Sequence, residues 1–102
     1  MKIEWSTFAI KQLASVYQYY LVNAGLVVAE KVTNEILLSV EILINHPFVG
    51  QEDEILKSHG KSFRYLVTGN YKIIYSVSKT TIIIHDVFDT RLNPKKLVKR
   101  NK

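Results

Sequence analysis

Apolar and polar positions recur along this chain with two different periods, and the switch between them marks its elements. Lys2–Trp5 alternates, with Ile3 and Trp5 on one side and Lys2 and Glu4 on the other, which predicts a short opening strand. Ser6 or Thr7 then offers an N-cap for a helix reaching about Val22, in which Ala9, Leu13, Val16, Tyr17 and Tyr20 form a stripe at three- and four-residue spacing. Asn23-Ala24-Gly25 interrupts this pattern. A second stripe follows: Ala29, Val32, Ile36, Val40, Leu43 and Ile44. Asn45-His46-Pro47 ends it, because the residue before a proline is pushed out of helical space. Two amphipathic helices joined by so short a break predict an antiparallel hairpin.

Beyond a polar connection at 48–60, the period drops to two. Residues 63–68, 71–78 and 81–88 read as strands. Gly69-Asn70 between the first two is a Gly-first, type II′ hairpin signature, and Ser78-Lys79-Thr80 separates the next pair. The order β-α-α-β-β-β predicts a two-layer α+β fold in which the helix hairpin packs on one face of a small antiparallel sheet. Tyr71, Ile73, Tyr75 and Val77 share one side and read as packing residues; the other sheet face is expected to be free for function. After Pro94 the tail is basic, compatible with a short helix or a disordered arm.

The 102 residues suit one domain with a core of its own. Cysteine is absent, which removes disulfides, thiol nucleophiles and thiolate metal sites and fits a reducing compartment. MKIEWSTFAI has no signal-peptide core and no stretch is apolar enough to span a membrane, so a cytoplasmic protein is expected. Charge sharpens the picture more than composition does. Residues 1–56 carry a balance of −4, whereas residues 57–102 hold eleven basic side chains against Asp86 and Asp89, a balance of +9. Such asymmetry points to a partner bearing negative charge, either nucleic acid or an acidic protein segment.

The candidate chemistry is correspondingly cationic. Arg64 and Arg91 suit phosphate binding, since a planar guanidinium engages two phosphate oxygens; the alternative is a structural role on strand-end carbonyls or on Asp89. Lys57, Lys61, Lys72, Lys95 and Lys96 add positive field for a nucleic acid or partner, or are simply solvated. Strand alternation puts His85, Asp89 and Arg91 on one side if the strand runs that far, and a His–Asp pair can tune a proton-transfer group. Tyr65, Tyr71 and Tyr75 either stack on bases or pack. Glu52-Asp53-Glu54 reads as a solvated acidic patch, and the histidines at 46, 59 and 85 lack ligand spacing. No metal or cofactor is expected.

These residues resemble the RelE/ParE superfamily of toxins from bacterial type II toxin–antitoxin systems. The resemblance runs over nearly the whole chain: the opening strand, the helix pair ending in His46-Pro47-x-x-Gly50, then Arg64-x-Leu66-x-x-Gly69-x-Tyr71-x-Ile73-x-Tyr75 and Val87-x-x-x-Arg91-x-x-Pro94. It implies the small α+β fold and neutralisation by a cognate antitoxin. It also implies one of two activities. ParE-like members poison DNA gyrase; RelE-like members cut messenger RNA on the ribosome without a metal. The nuclease alternative would use Arg64 and Arg91 to stabilise charge and His85 or His59 to move a proton, with Lys57 and Lys61 in the region of functional lysines. The tail after Arg91, however, has no tyrosine or histidine of the kind several RelE-like nucleases carry. Pro47-x-x-Gly50 and the GNYKIIY strand look more like ParE, with Lys72 in place of a common arginine. A ParE-like, plasmid-stabilisation-type toxin acting on gyrase is therefore the expected function.

Overall fold

The protein, described here by a computed structural model over residues 1–60, 62–92 and 94–100, folds as β1 (Lys2–Trp5), α1 (Thr7–Ala24), α2 (Leu26–Glu41), β2 (Gln51–Glu52), α3 (Glu54–Ser58), β3 (Arg64–Thr68), β4 (Tyr71–Val77), β5 (Thr81–Asp89) and α4 (Pro94–Arg100). The sheet order is β1-β5-β4-β3-β2. The three predicted strands pair antiparallel in the middle, and β1 joins the edge parallel to β5.

Local chemistry sets these boundaries. The Ser6 hydroxyl accepts the Ala9 N–H at 3.0 Å and caps α1. Gly25 ends α1 and starts α2 in one residue because its φ of 93° is open to glycine at little cost. Gly69 has a φ of 58° while Asn70 does not share the positive sign, as a Gly-first hairpin turn requires. The α1–α2 hairpin, with the 3₁₀ turn Ile42–Ile44 that follows it, lays Ala9, Val16, Ile36, Val40 and Leu43 on Tyr71, Ile73, Tyr75, Ile82, Ile84 and Val87, all buried. Tyr75 also explains the close approach of residue 50: the Gly50 N–H donates to its hydroxyl at 2.9 Å, and a β-carbon on Gly50 would lie 2.7 Å from the Tyr65 carbonyl oxygen.

The second face of the sheet is not free, contrary to the sequence reading. There α3 and α4 bury Leu56 and Leu97 against Ile74 and Phe88, with Phe63 and Tyr65 alongside. Two buried carboxylates fasten this layer. Asp53, read from sequence as part of a solvated patch, is wholly buried. Its Oδ1 accepts the Leu56 N–H at 3.0 Å as the cap of α3, and its Oδ2 accepts from Lys72 Nζ at 2.8 Å. Asp86, also wholly buried, accepts from the Arg100 guanidinium at 2.7 Å. That guanidinium lies 5.1 Å from the Phe88 ring centre and 5.2 Å from that of Phe8. Pro94–Arg100 is therefore a helix docked by Leu97 and Arg100 rather than a loose arm.

Candidate functional site

A β-bulge decides where the candidate residues fall. Ile73 pairs with Val87 and Ile74 with Asp86, but Tyr75 pairs with Ile84, so His85 is an extra residue in β5. The bulge reverses the alternation. Ile82 and Ile84 face the helix hairpin before it, and Val87 does so after it. The expected grouping of His85 with Asp89 and Arg91 is thereby corrected: Asp89 sits opposite Tyr71 on the hairpin side, whereas His85 stacks on Phe63 at 4.5 Å and 21°. His85 Nε2 lies 2.6 Å from the Ser76 hydroxyl, and burial pulls the imidazole below its ordinary range, which favours the neutral ring.

Arg64 and Arg91 are not brought together either. Arg64 pairs with Tyr75 and Asp89 with Tyr71, four residues along β4, which at about 3.3 Å each puts the two ends roughly 13 Å apart. Arg64 Nη1 donates to the Gly50 carbonyl at 2.8 Å and its guanidinium rests over the Phe48 ring at 5.2 Å. Arg91 folds onto Asp89 through Nε at 2.9 Å and Nη2 at 2.7 Å, and its backbone N–H adds a third bond. These bonds, the side-chain ones first, hold the Asp89 carboxyl below its usual range.

The lysines divide in the same way. Lys57 pairs with Glu52 at 3.0 Å on the surface, and Lys72 lies between Asp53 and the Tyr65 ring, 4.2 Å from its centre. Lys95 and Lys96 are exposed on α4, and His59 is exposed at the end of α3. Lys61 lies outside the described residues. Of the tyrosines proposed for stacking, Tyr71 and Tyr75 are buried and Tyr65 packs against the second-face core.

A cleft of about 340 Å³ lies between α1 and the far end of the sheet. Gln12, Ser15, Val16 and Tyr19 line it from α1, and Tyr71, Val87, Asp89, Arg91, Leu92 and Arg100 from the other side. Burial, helped by a 3.4 Å hydroxyl contact with Tyr20, raises the Tyr71 phenol above its usual range. The cleft thus joins a phenol driven toward its neutral form to a carboxylate driven toward its charged one, and neither is poised for proton transfer near neutral pH. An apolar floor with an Asp–Arg rim suits a docked side chain better than a reacting one. Among the described residues, no cluster of three or more His, Asp and Glu is placed to hold a metal. The sequence reading missed this cleft because its walls come from four segments, though Asp89-x-Arg91 was an available sign.

The chain matches the profile of the ParE toxin of the type II toxin–antitoxin system parDE over residues 3–94. No curated protein matches it. Among solved structures, a chain of the chromosomal ParDE toxin–antitoxin system from Pseudomonas aeruginosa is similar at 22% identity and a TM-score of 0.74, covering 87% of this chain and 95% of that one. That likeness is one of fold, and it agrees with the helix hairpin on a five-stranded sheet. With a family profile spanning the fold from β1 to the start of α4, the chain belongs to the ParE toxin family of type II toxin–antitoxin systems.

Proposed function

We propose that this protein is the toxin of a type II pair, held inactive by a cognate antitoxin in the cytoplasm, and that it acts by docking on DNA gyrase and stabilising the cleaved gyrase–DNA complex. One observation carries the choice of a binding toxin over a nuclease: the groups a metal-independent nuclease would need are dispersed. Arg64 on β3 lies opposite Tyr75, whereas Arg91 lies just beyond Asp89, which is opposite Tyr71 four residues away along β4. Each arginine is engaged with a protein acceptor, and His85 lies on the other side of the sheet from Asp89. Transition-state stabilisation requires such groups to converge on one set of reacting atoms.

An antitoxin partner is supported by family membership and by apolar surface that an isolated chain leaves in water. At the hairpin tip Val22 is 72% and Val27 80% exposed, with Leu26 between them, and farther along α2 Leu38 is 61% exposed. No described helix is long and apolar enough to cross a membrane. The reading is tested by expressing the chain alone in a bacterium. Gyrase-trapped DNA breaks and DNA-damage signalling with intact messages are expected. Messages cut in the ribosomal A site with undamaged DNA would overturn it.

A further inference from the structure

The bulge that takes His85 out of register also gives its side chain a partner. Bulges re-aim side chains and are over-represented beside reactive sites. Ile74 lies opposite Asp86 and Tyr75 opposite Ile84, so no β4 residue faces His85 in the register. Its Nε2 instead reaches the Ser76 hydroxyl at 2.6 Å. Two bonds from Ser6 hold the bulge in place: the N–H donates to the Ile84 carbonyl at 3.0 Å and the hydroxyl to the His85 carbonyl at 3.3 Å. Phe63, stacked on the imidazole at 4.5 Å, fixes the plane of the ring. A hydroxyl and a ring nitrogen within about 2.6–3.2 Å have the geometry of a nucleophile and its base. Burial favours the neutral imidazole, which is the form able to accept a proton.

The pair is open to a small reactant. Ser76 and His85 are both partly exposed, and Ser76 lines a concavity of about 130 Å³ with Phe48, Phe63, Val77 and Arg64 among its other walls. That is well below the roughly 300 Å³ at which sites for drug-sized ligands begin, so a short chain fits and a nucleotide does not. Three of these walls are apolar, which suits an acyl group. Arg64 brings a cation to the same concavity. Among the described residues its side chain donates only through Nη1, which leaves Nε and Nη2 for a carbonyl oxygen. One element of a full triad is missing: among the described residues, no carboxylate bonds to the His85 ring. Loss of that member slows a triad by about 10⁴-fold, so a single slow acylation is expected here rather than rapid turnover.

We infer that Ser76 and His85 form a nucleophile–base pair that takes a short acyl group from an activated carboxylic ester. Ser76 Oγ bonds to the ester carbonyl carbon while its proton passes to His85 Nε2. The bond to the leaving oxygen then breaks, and that oxygen keeps the electron pair and takes up the proton. An ester remains on Ser76 and the imidazole is neutral again. The chemistry needs neither Asp89 nor Arg91 and does not depend on how the chain acts on gyrase.

The test incubates the full chain with p-nitrophenyl acetate at neutral pH, follows release of p-nitrophenolate and locates the acetyl group by peptide mass mapping. A burst matching the amount of protein is expected, with the acetyl group on Ser76. Ser76→Ala should remove the burst. His85→Gln, shown to be folded by its circular dichroism and thermal transition, should slow acylation of Ser76 by about 10²–10⁴-fold, the usual contribution of a positioned base. The native chain unfolded in urea keeps both side chains but not their geometry, and should leave Ser76 unlabelled. That comparison decides the matter even if His85→Gln does not fold. Acetyl groups found only on lysines or the N-terminal amine would overturn the proposal. So would labelling of Ser76 as fast in urea as in the folded chain, or as fast in folded His85→Gln as in the native protein.

Discussion

Replacing Lys72 by Met tests whether the second layer is fastened to the sheet by charge. Asp53 is wholly buried and Lys72 supplies its charged partner at 2.8 Å, while the lysine side chain keeps 19% of its surface exposed. Removing one member of a buried pair typically costs about 3–5 kcal/mol, because the remaining charge stays desolvated. Partial access of water at Lys72 lowers this to about 2–4 kcal/mol. At about 4–8 °C per kcal/mol for a domain of this size, the melting temperature should fall by roughly 10–25 °C. Asp53→Asn is the milder change. Asparagine still caps α3 through its side-chain oxygen, and Lys72 keeps the Tyr65 ring and some water, so a loss of about 1–2 kcal/mol is expected. The combined variant leaves neither charge behind and should lose less than the sum of the singles, by about 1–3 kcal/mol. Urea unfolding at pH 7 measures all four corners of the cycle. Additivity within about 0.5 kcal/mol would refute the claim that these two charges compensate one another.

Three further outcomes follow from the same geometry. Gly50→Ala should cost about 1–3 kcal/mol, since the new methyl meets the Tyr65 carbonyl oxygen and the Tyr75 ring at 2.7 Å; an unchanged urea midpoint would contradict this. His85, held below its ordinary pKa by burial, contributes stability that is fully present above the unfolded value near 6.5. That stability is lost as the pH falls through 6.5 toward the lower folded value; stability measured from pH 7.5 to 5 should therefore drop more in the native chain than in His85→Gln. Arg64→Ala should lower stability by about 1.5–3 kcal/mol through the lost bond to Gly50 and reduce toxicity only in proportion; toxicity lost in a chain that remains folded would point to a direct role for this arginine.

Where the sequence spoke in long periodic runs it placed the elements well. The α1 and α2 stripes, the Gly69-Asn70 turn and the shared face of Tyr71, Ile73, Tyr75 and Val77 all follow from side-chain periodicity alone. The rest was lost for identifiable reasons. A single bulge at His85 reverses every later side chain in β5, and nothing in an unbroken run such as TIIIHDVFD marks where it falls. A five-residue helix such as α3 has too few positions to show a period. Asp53 two residues before Ile55-Leu56 was nevertheless a helix-cap signal hidden in an acidic triplet. Asp86 carried a clearer sign, since a carboxylate in the middle of an apolar strand calls for a buried partner. Its partner, Arg100, shares a helix side with Leu97 by three-residue spacing, a pattern masked by the basic composition of the tail. These same misses concealed the second layer, and with it the pairing of Lys72 and Arg100 with buried carboxylates.

The central claim, that the protein works by binding gyrase rather than by cutting RNA, is tested most directly with purified components. Bacterial DNA gyrase, supercoiled plasmid, ATP and this chain are incubated together, and trapped breaks are released with detergent and protease. The account predicts linear plasmid that requires both gyrase and the toxin. It also predicts that a molar excess of the cognate antitoxin abolishes those breaks, while messages on translating ribosomes stay whole. Intact plasmid at every toxin concentration, together with A-site cleavage of message by the same preparation, would contradict it.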